Sequence, residues 1–156
     1  MGPLSGYRII ELGGLGPAPM CGLLLADLGA EVILVERPGK AEIEVEPTRS
    51  IERRSKRSIE LNLKDARSVD IILSLVETAD ALIEGFRPGV TERLGLGPVE
   101  CSERNPKLVY GRVTGWGQDG PLSQTAGHDI NYIALAGVLD AIGPANGRPF
   151  PPLNLV

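Results

Sequence analysis

His128 is the only histidine in this 156-residue chain, and its side chain is suited to proton transfer. Imidazole accepts and releases protons near neutral pH. His128 lies within the run Gly127-His128-Asp129-Ile130-Asn131-Tyr132, between a glycine-rich loop over 114–121 and an apolar helical run. This setting favours acid–base chemistry, although a lone histidine is also often structural. The adjacent Asp129 could orient the imidazole or cap the helix; we favour the cap, because neighbouring side chains diverge on a helix.

A second group of candidate residues is basic and lies in or beside predicted loops at strand ends. Ligands of open α/β sheets bind beyond the carboxyl ends of the strands, and guanidinium groups match phosphate oxygens. The group is therefore compatible with a ligand that carries several phosphates. The alternative is a solvated charged face balanced by nearby glutamates, and spacing alone favours this alternative. The group comprises Arg37, Arg53, Arg54, Lys56, Arg57, Lys64, Arg87 and Arg93.

The turn Gly13-Gly14-Leu15-Gly16 follows the first predicted strand and invites comparison with dinucleotide-binding loops. The G-x-G-x-x-G fingerprint of those loops is broken, because position 19 is proline. Glu36 ends the second predicted strand, as an acidic residue does in many nucleotide sites. The broken glycine pattern nevertheless favours a tight structural turn over an NAD site.

Hydrophobic periodicity and turn residues predict the elements that must position these side chains. Strands alternate with helices, which predicts an α/β fold with a Rossmann-like parallel sheet and flanking helices. Asp65 and Thr91 are the predicted caps of two helices. A long polar loop is predicted over 37–58, with one short helix in it at most. The predicted strands are 7–12, 31–35, 59–63, 81–84 and 108–113, and the predicted helices are 17–28, 65–77, 91–94, 99–104 and 130–139.

Composition limits the functions that the chain can have. Hydrophobic residues make up 42% and charged residues 23%, as in ordinary soluble globular domains, and the net charge is −4. This balance gives no sign of nucleic-acid binding, no apolar run is long enough to span a bilayer, and no signal peptide is visible. Cys21 and Cys101 lack metal or redox spacing. We therefore expect a cytoplasmic protein with no metal site and no nucleic-acid or membrane partner. The apolar ending over 151–156 suggests a cut chain.

Several segments resemble the family III CoA-transferases, in order and along the whole chain. The run 127–132 is the more specific element, since it resembles the α-methylacyl-CoA racemase branch and not the formyl-CoA or carnitine transferase branches. Residues 1–156 would then form the N-terminal, incomplete part of the large CoA-binding domain in an interlinked-dimer fold. The rest of that domain and a smaller second domain would lie outside this chain. The matching segments are 8–12, 25–32, 56–59, 63–64, 80–90, 94–96 and 115–118.

The resemblance also implies an activity and a set of site residues. It implies racemisation of 2-methylacyl-CoA thioesters by a homodimer, with no separate cofactor, since CoA is part of the substrate. His128 would be one proton-transfer group. The other would be an aspartate that the family places just beyond a run like 152–156, so this chain alone is expected to be inactive. The CoA nucleotide would be held by Arg37, Lys64, Arg87 and Arg93, and Tyr132 would lie near the thioester.

The chemistry of a thioester is consistent with this implication. Its α-hydrogen is weakly acidic, so inversion needs one group to remove a proton and another to return one on the opposite face. Backbone N–H groups at the helix start near Ile130 are our candidates for stabilising the enolate oxygen. Two alternatives remain open. One is a CoA-transferase in which the aspartate is the nucleophile and His128 is incidental; the other is a non-catalytic CoA-binding or assembly module. The sequence leaves the acyl chain open.

Overall fold

A five-stranded sheet, parallel throughout, forms the centre of the first of two structural units. The computed structural model describes residues 2–39 and 51–155. The first unit extends to Val113 and the second runs from Thr114. The strands are β1 (Arg8–Leu12), β2 (Glu31–Glu36), β3 (Lys56–Glu60), β4 (Ala81–Glu84) and β5 (Val109–Arg112). Their order, β3-β2-β1-β4-β5, is that of a Rossmann-like sheet and confirms the predicted fold class.

Helices flank this sheet and connect its strands. Helix α1 (Pro17–Asp27) follows β1, and α2 (Ala66–Val76) follows β3. Two short helices, α3 (Val90–Arg93) and α4 (Pro98–Arg104), lie between β4 and β5. A 3₁₀ helix spans Ile51–Arg53 ahead of β3. The second unit contains α5 (Asp129–Leu135) and a 3₁₀ helix over Leu139–Ala141.

Alternating apolar side chains of the central strand β1 place a core on each face of the sheet. Ile10 and Leu12 pack into one core with Ile72 of α2, while Ile9 packs into the other with Ala26 of α1. Both faces of β1 are therefore buried, as expected for a parallel sheet covered by helices. Because β1 pairs in parallel with both β2 and β4, the carboxyl ends of these three strands lie at one edge of the sheet.

Local signals predicted several boundaries correctly. The strand over 81–84 has the predicted bounds, and β1 and β2 differ from prediction by one residue at one end. Asp65 caps α2 as predicted, since its Oδ1 accepts a hydrogen bond of 3.0 Å from the Arg67 backbone N–H. Hydrophobic periodicity and a polar cap residue were therefore sufficient to predict the ends of elements that are buried on one face or on both.

The predicted strand over 59–63 is wrong in its bounds. The strand β3 spans Lys56–Glu60 and pairs residue by residue with Val32–Glu36 of β2. It is an edge strand, and its charged start resembles a loop because half of such a strand faces solvent. The predicted loop over 37–58 accordingly ends earlier, before Lys56, and its residues 40–50 lie outside the described part of the chain.

Two helix predictions also need correction. Thr91 does not cap α3: the cap is Gly89, in the left-handed conformation with φ of 81°, and Thr91 is buried as the second residue of the helix. Gly89 ends the Pro88-Gly89 turn, which lets the helix begin at Val90. The predicted helix over 130–139 is too long, because α5 ends at Leu135 and Gly137 takes a positive φ of 78°.

Residues 2–39 and 51–155 contain neither a membrane-spanning helix nor a cluster of metal ligands. No helix there is long and apolar enough to cross a membrane. No three His, Cys, Asp or Glu side chains in those ranges converge in a way that could hold a metal ion.

Candidate functional site

A pocket of about 380 Å³ opens at the carboxyl edge of the sheet in the first unit. Loops after four neighbouring strands contribute to its walls, beginning with Gly13 after β1. The pocket therefore lies where the strand order reverses, which is where open α/β sheets bind ligands. Its walls are formed by Gly13, Val35, Glu36, Arg37, Leu61, Asn62, Leu63, Lys64, Phe86, Val90, Arg93 and Leu94.

Three predicted nucleotide-binding residues line this pocket: Arg37, Lys64 and Arg93, which we call the pocket cations. All three are exposed, and none forms an ion pair with a carboxylate of the described residues. Glu36, the one acidic group among the described residues of the wall, pairs with Arg53. Within the described ranges, the pocket therefore offers an anionic ligand three positive charges that are uncompensated, in the sense that no described carboxylate pairs with them.

The same pocket has an apolar wall. Leu61 and Leu63 come from the loop after β3, and Phe86 follows β4. Val90 and Leu94 from the α3 region complete the wall. An apolar wall beside three cations suits a ligand that joins a flat ring to phosphate groups, as a nucleotide does.

Arg87, the fourth predicted nucleotide-binding residue, differs from the other three. It follows Phe86 directly and is exposed, but it does not line the pocket. Like the pocket cations, it forms no ion pair with a carboxylate in the described ranges. Because it is exposed and adjoins Phe86 of the wall, it is available to a ligand that extends beyond the cavity.

The remaining basic candidates lie within or just before β3, and each pairs with a carboxylate. We call them the paired cations: Arg53, Arg54, Lys56 and Arg57. Arg53 pairs with Glu36, Arg54 with Asp27 at 2.5 Å, Lys56 with Glu11 at 2.6 Å and Arg57 with Glu31 at 3.0 Å. The balanced charged face therefore describes Arg53, Arg54 and Arg57, whereas the pair of Lys56 is buried.

Lys56 and Glu11 form an ion pair that sequence reasoning missed. Each side chain is only 1% exposed. The Lys56 Nζ also donates to the Pro19 carbonyl oxygen at 2.9 Å, which ties the first turn of α1 to the sheet. Burial raises the pKa of the Glu11 carboxyl, and the Lys56 ammonium opposes that shift. A glutamate inside an otherwise apolar strand was the one sequence signal for this pair.

A second buried carboxylate lies at the end of β4. One oxygen of Glu84, Oε2, accepts a hydrogen bond of 2.7 Å from the Phe86 N–H, and Oε1 lies 3.5 Å from Arg112 Nε. Burial raises the pKa of Glu84, while the Phe86 N–H and the Arg112 charge oppose the shift. Arg112 also pairs with Glu92 in α3 through its Nη2.

His128 lies at the start of α5 in the second unit, and its side chain is exposed. It is the N-cap residue, with extended backbone angles of −132° and 167°. Its backbone N–H donates to Asn131 Oδ1 at 2.9 Å, so the Asn131 side chain holds the residue in place. An exposed imidazole on a fixed backbone is accessible to a substrate.

The predicted cap role of Asp129 is wrong. Asp129 is the first residue of α5 and its Oδ1 accepts a hydrogen bond of 2.8 Å from the Leu155 N–H. The helix starts one residue earlier than predicted, because the Asn131 side chain stabilises His128 as the cap from the first turn. The N–H groups of Asn131 and Tyr132 both donate to the His128 carbonyl oxygen, at 2.8 and 3.2 Å. Among the candidate enolate stabilisers, these two are thus already engaged.

Tyr132 packs within the second unit between two glycines. A side chain at Gly115 would collide with the Tyr132 hydroxyl, and a Cβ at Gly127 would lie 2.7 Å from the ring. Trp116 contacts the ring edge-on, with centroids 4.8 Å apart. The glycine-rich loop and the His128 run therefore pack together around Tyr132. Its ring leaves no room for a side chain at Gly115 or Gly127, which explains why both positions are glycine.

Comparison with known proteins places this geometry in context. The model of CoA-transferase family III matches residues 4–154. Alpha-methylacyl-CoA racemase of Mus musculus is 48% identical over 98% of this chain and 39% of its own length. Succinyl-CoA:glutarate CoA-transferase of Homo sapiens is 38% identical over 96% of this chain and 36% of its own length. The crystal structure of a CAIB/BAIF family protein from Brucella suis has a TM-score of 0.85 and 31% identity, over 97% of this chain and 44% of that one. The chain thus spans about two fifths of the length of these relatives.

Proposed function

The chain belongs to CoA-transferase family III, and on that basis we propose that it is the CoA-binding part of a 2-methylacyl-CoA racemase. The observation that carries the proposal is the pocket with three uncompensated cations beside an apolar wall. The greater similarity to a racemase than to a transferase, 48% against 38% identity, supports the choice of reaction. The active protein would be a homodimer.

Each feature of the pocket has a role in this proposal. The adenine ring of CoA packs on Leu61, Leu63 and Phe86. Arg37, Lys64 and Arg93 neutralise the phosphate groups, and Arg87 contacts the part of CoA that leaves the cavity. Charge-assisted hydrogen bonds of this kind contribute about 1.5–3 kcal/mol each. CoA is the substrate carrier here, so the reaction needs no separate cofactor.

His128 is the proposed acid–base group of this chain. Its neutral imidazole removes the α-proton of the 2-methylacyl thioester, which leaves an enolate with its charge on the thioester oxygen. A second group returns a proton to the opposite face of C2 and inverts the centre. Family resemblance assigns that second role to an aspartate C-terminal to Val156. Tyr132 lies near the thioester in this proposal, and the Ile130 N–H at the start of α5 stabilises the enolate oxygen.

The second candidate is transfer of CoA between carboxylic acids. The 38% identity to a human succinyl-CoA:glutarate CoA-transferase favours it. That reaction uses a carboxylate nucleophile and a covalent acyl intermediate, so it needs no proton at C2 to be removed. His128 would then have no role in the chemistry, which makes its substitution decisive.

Proton exchange at C2 distinguishes the two reactions. The protein that carries this chain, at its encoded length, is incubated with a 2-methylacyl-CoA in deuterated water, and deuterium at C2 is followed by NMR. We expect His128→Ala to lower the exchange rate by about 100-fold or more, as loss of a general base does. Leu135→Ala, at an exposed site at the other end of α5, is the matched control and should retain the exchange rate. Undiminished exchange in His128→Ala would contradict the racemase proposal.

A further inference from the structure

Arg112 connects three elements at the carboxyl edge of the sheet. It sits opposite Glu84 in the register of β5 with β4, so the two side chains are neighbours on one face. Its Nε lies 3.5 Å from Glu84 Oε1, and its Nη2 pairs with Glu92 of α3. Its side chain is 19% exposed and that of Glu84 is 3% exposed. Glu84, Arg112 and Glu92 therefore form one network, which we call the α3 clamp.

The α3 clamp contacts the pocket wall at two places. Glu84 Oε2 accepts the Phe86 backbone N–H at 2.7 Å, which fixes the start of the loop after β4. Glu92 immediately precedes Arg93, and its other oxygen accepts the buried Thr91 hydroxyl at 3.2 Å. Phe86 and Arg93 both line the pocket, whereas Arg112 does not. The clamp thus holds both ends of the segment that carries one pocket cation and part of the apolar wall.

The geometry points to Arg112 as a positioning residue, which sets Phe86 and Arg93 for CoA binding through Glu84 and Glu92. Only a guanidinium presents donors to two carboxylates in a fixed plane; an ammonium is a point charge that satisfies one of them at a time. The inference rests on the proposed binding of CoA by this pocket. It adds Arg112, which lies outside the cavity, to the residues that determine CoA affinity. The effect depends on the planar geometry of the guanidinium as well as on its charge.

Arg112→Lys tests this role because it keeps the positive charge and removes the planar guanidinium that donates to two carboxylates. CoA is titrated calorimetrically into the wild-type chain, Arg112→Lys, Arg93→Ala and the double variant. We expect Arg112→Lys to lower affinity about tenfold, which corresponds to about 1.4 kcal/mol. In the Arg93→Ala background the same change should have a smaller effect, since one of its two targets is gone and only Phe86 remains. Arg104→Lys, which alters the exposed pair with Glu77, is the matched control and should bind normally.

Hydrogen exchange of the free chain separates this inference from the proposed function. Arg112→Lys should raise amide exchange over 86–94 relative to the rest of the sheet, with or without a ligand. Glu92→Gln, at a half-exposed position, repeats the test if Arg112→Lys does not fold. The inference is overturned if amide exchange over 86–94 stays at the wild-type rate, or if the effects of Arg112→Lys and Arg93→Ala on affinity simply add. Failure of the wild-type chain to bind CoA would overturn the proposed function, whereas faster exchange over 86–94 would still support the positioning role.

Discussion

The pocket cations and the paired cations occupy the same unit but have different surroundings. The paired cations sit beside Glu36, Asp27, Glu11 and Glu31, and one of them is buried. The pocket cations line a cavity in which Glu36, the one carboxylate among its described wall residues, already has a partner. Residue type is therefore a poor guide to phosphate binding in this fold. The position of the nearest carboxylate determines which basic residues support the sheet and which can meet a ligand.

Substitution of Lys56 should have the largest effect of any change in these two groups. Lys56→Met leaves the Glu11 carboxylate buried without its cation, and breaking such a pair typically costs about 3–5 kcal/mol. The free energy of unfolding, measured by urea denaturation, is expected to fall by that order. The double variant Lys56→Met/Glu11→Leu should recover most of the loss, because it removes both charges. A loss confined to CoA affinity, with unchanged stability, would place Lys56 among the ligand-binding cations.

Substitution of Arg93 should act on binding and not on stability. Arg93→Ala removes one uncompensated charge from the pocket, and we expect CoA affinity to fall by about 1.5–3 kcal/mol, or about 10–100-fold. Calorimetric titration measures the affinity, and thermal unfolding without ligand should be close to wild type. Arg57→Ala, an exposed member of the paired cations, serves as the matched control. Equal losses of affinity in the two variants would remove the distinction between the groups.

The contributions of Glu11 and Asp27, two acidic partners of the paired cations, to the free energy of unfolding should change with pH in opposite directions. Burial raises the pKa of Glu11 in the folded chain, so on raising the pH the unfolded chain loses the Glu11 proton before the folded chain does. The contribution of Glu11 to stability therefore falls as pH rises above about 4.5. The hydrogen bond from Arg54 lowers the pKa of Asp27, so its contribution is present above about pH 3.8 and is lost on acidification. Relative to wild type, Glu11→Gln should gain stability from pH 4.5 towards pH 7. Asp27→Asn should show its full deficit at neutral pH and lose it below pH 3.8. Urea denaturation across this range measures both, and parallel curves would contradict the assignment.

Substitution of Arg54 should have the smallest effect. Its pair with Asp27 is exposed, and such pairs contribute little because water and salt screen them. Arg54→Gln should lower the unfolding midpoint only slightly, and added salt should shrink the difference further. CoA affinity should not change. A marked loss of affinity that salt also weakens would show that Arg54 reaches the ligand.

Local patterns in the sequence were sufficient for most of the sheet. Short apolar runs located β1, β2 and β4. The rule that ligands bind beyond strand ends indicated a large group of basic residues, and the family resemblance selected Arg37, Lys64, Arg87 and Arg93 from it. Local patterns could not separate these from Lys56, whose partner Glu11 is 45 positions away in the chain and comes close only because β1 and β3 lie on either side of β2. Local patterns could not predict the α3 clamp either, because Glu84 and Arg112 become neighbours only when β5 pairs with β4.

The most direct test of the account follows backbone amide resonances of the chain by NMR during a titration with CoA. The account predicts saturable shifts at Arg37, over 61–64 and around Arg93, with little change over 53–57. Shifts concentrated over 53–57, or no saturable change anywhere, would contradict the central claim that the uncompensated cations at the carboxyl edge of the sheet bind the CoA nucleotide.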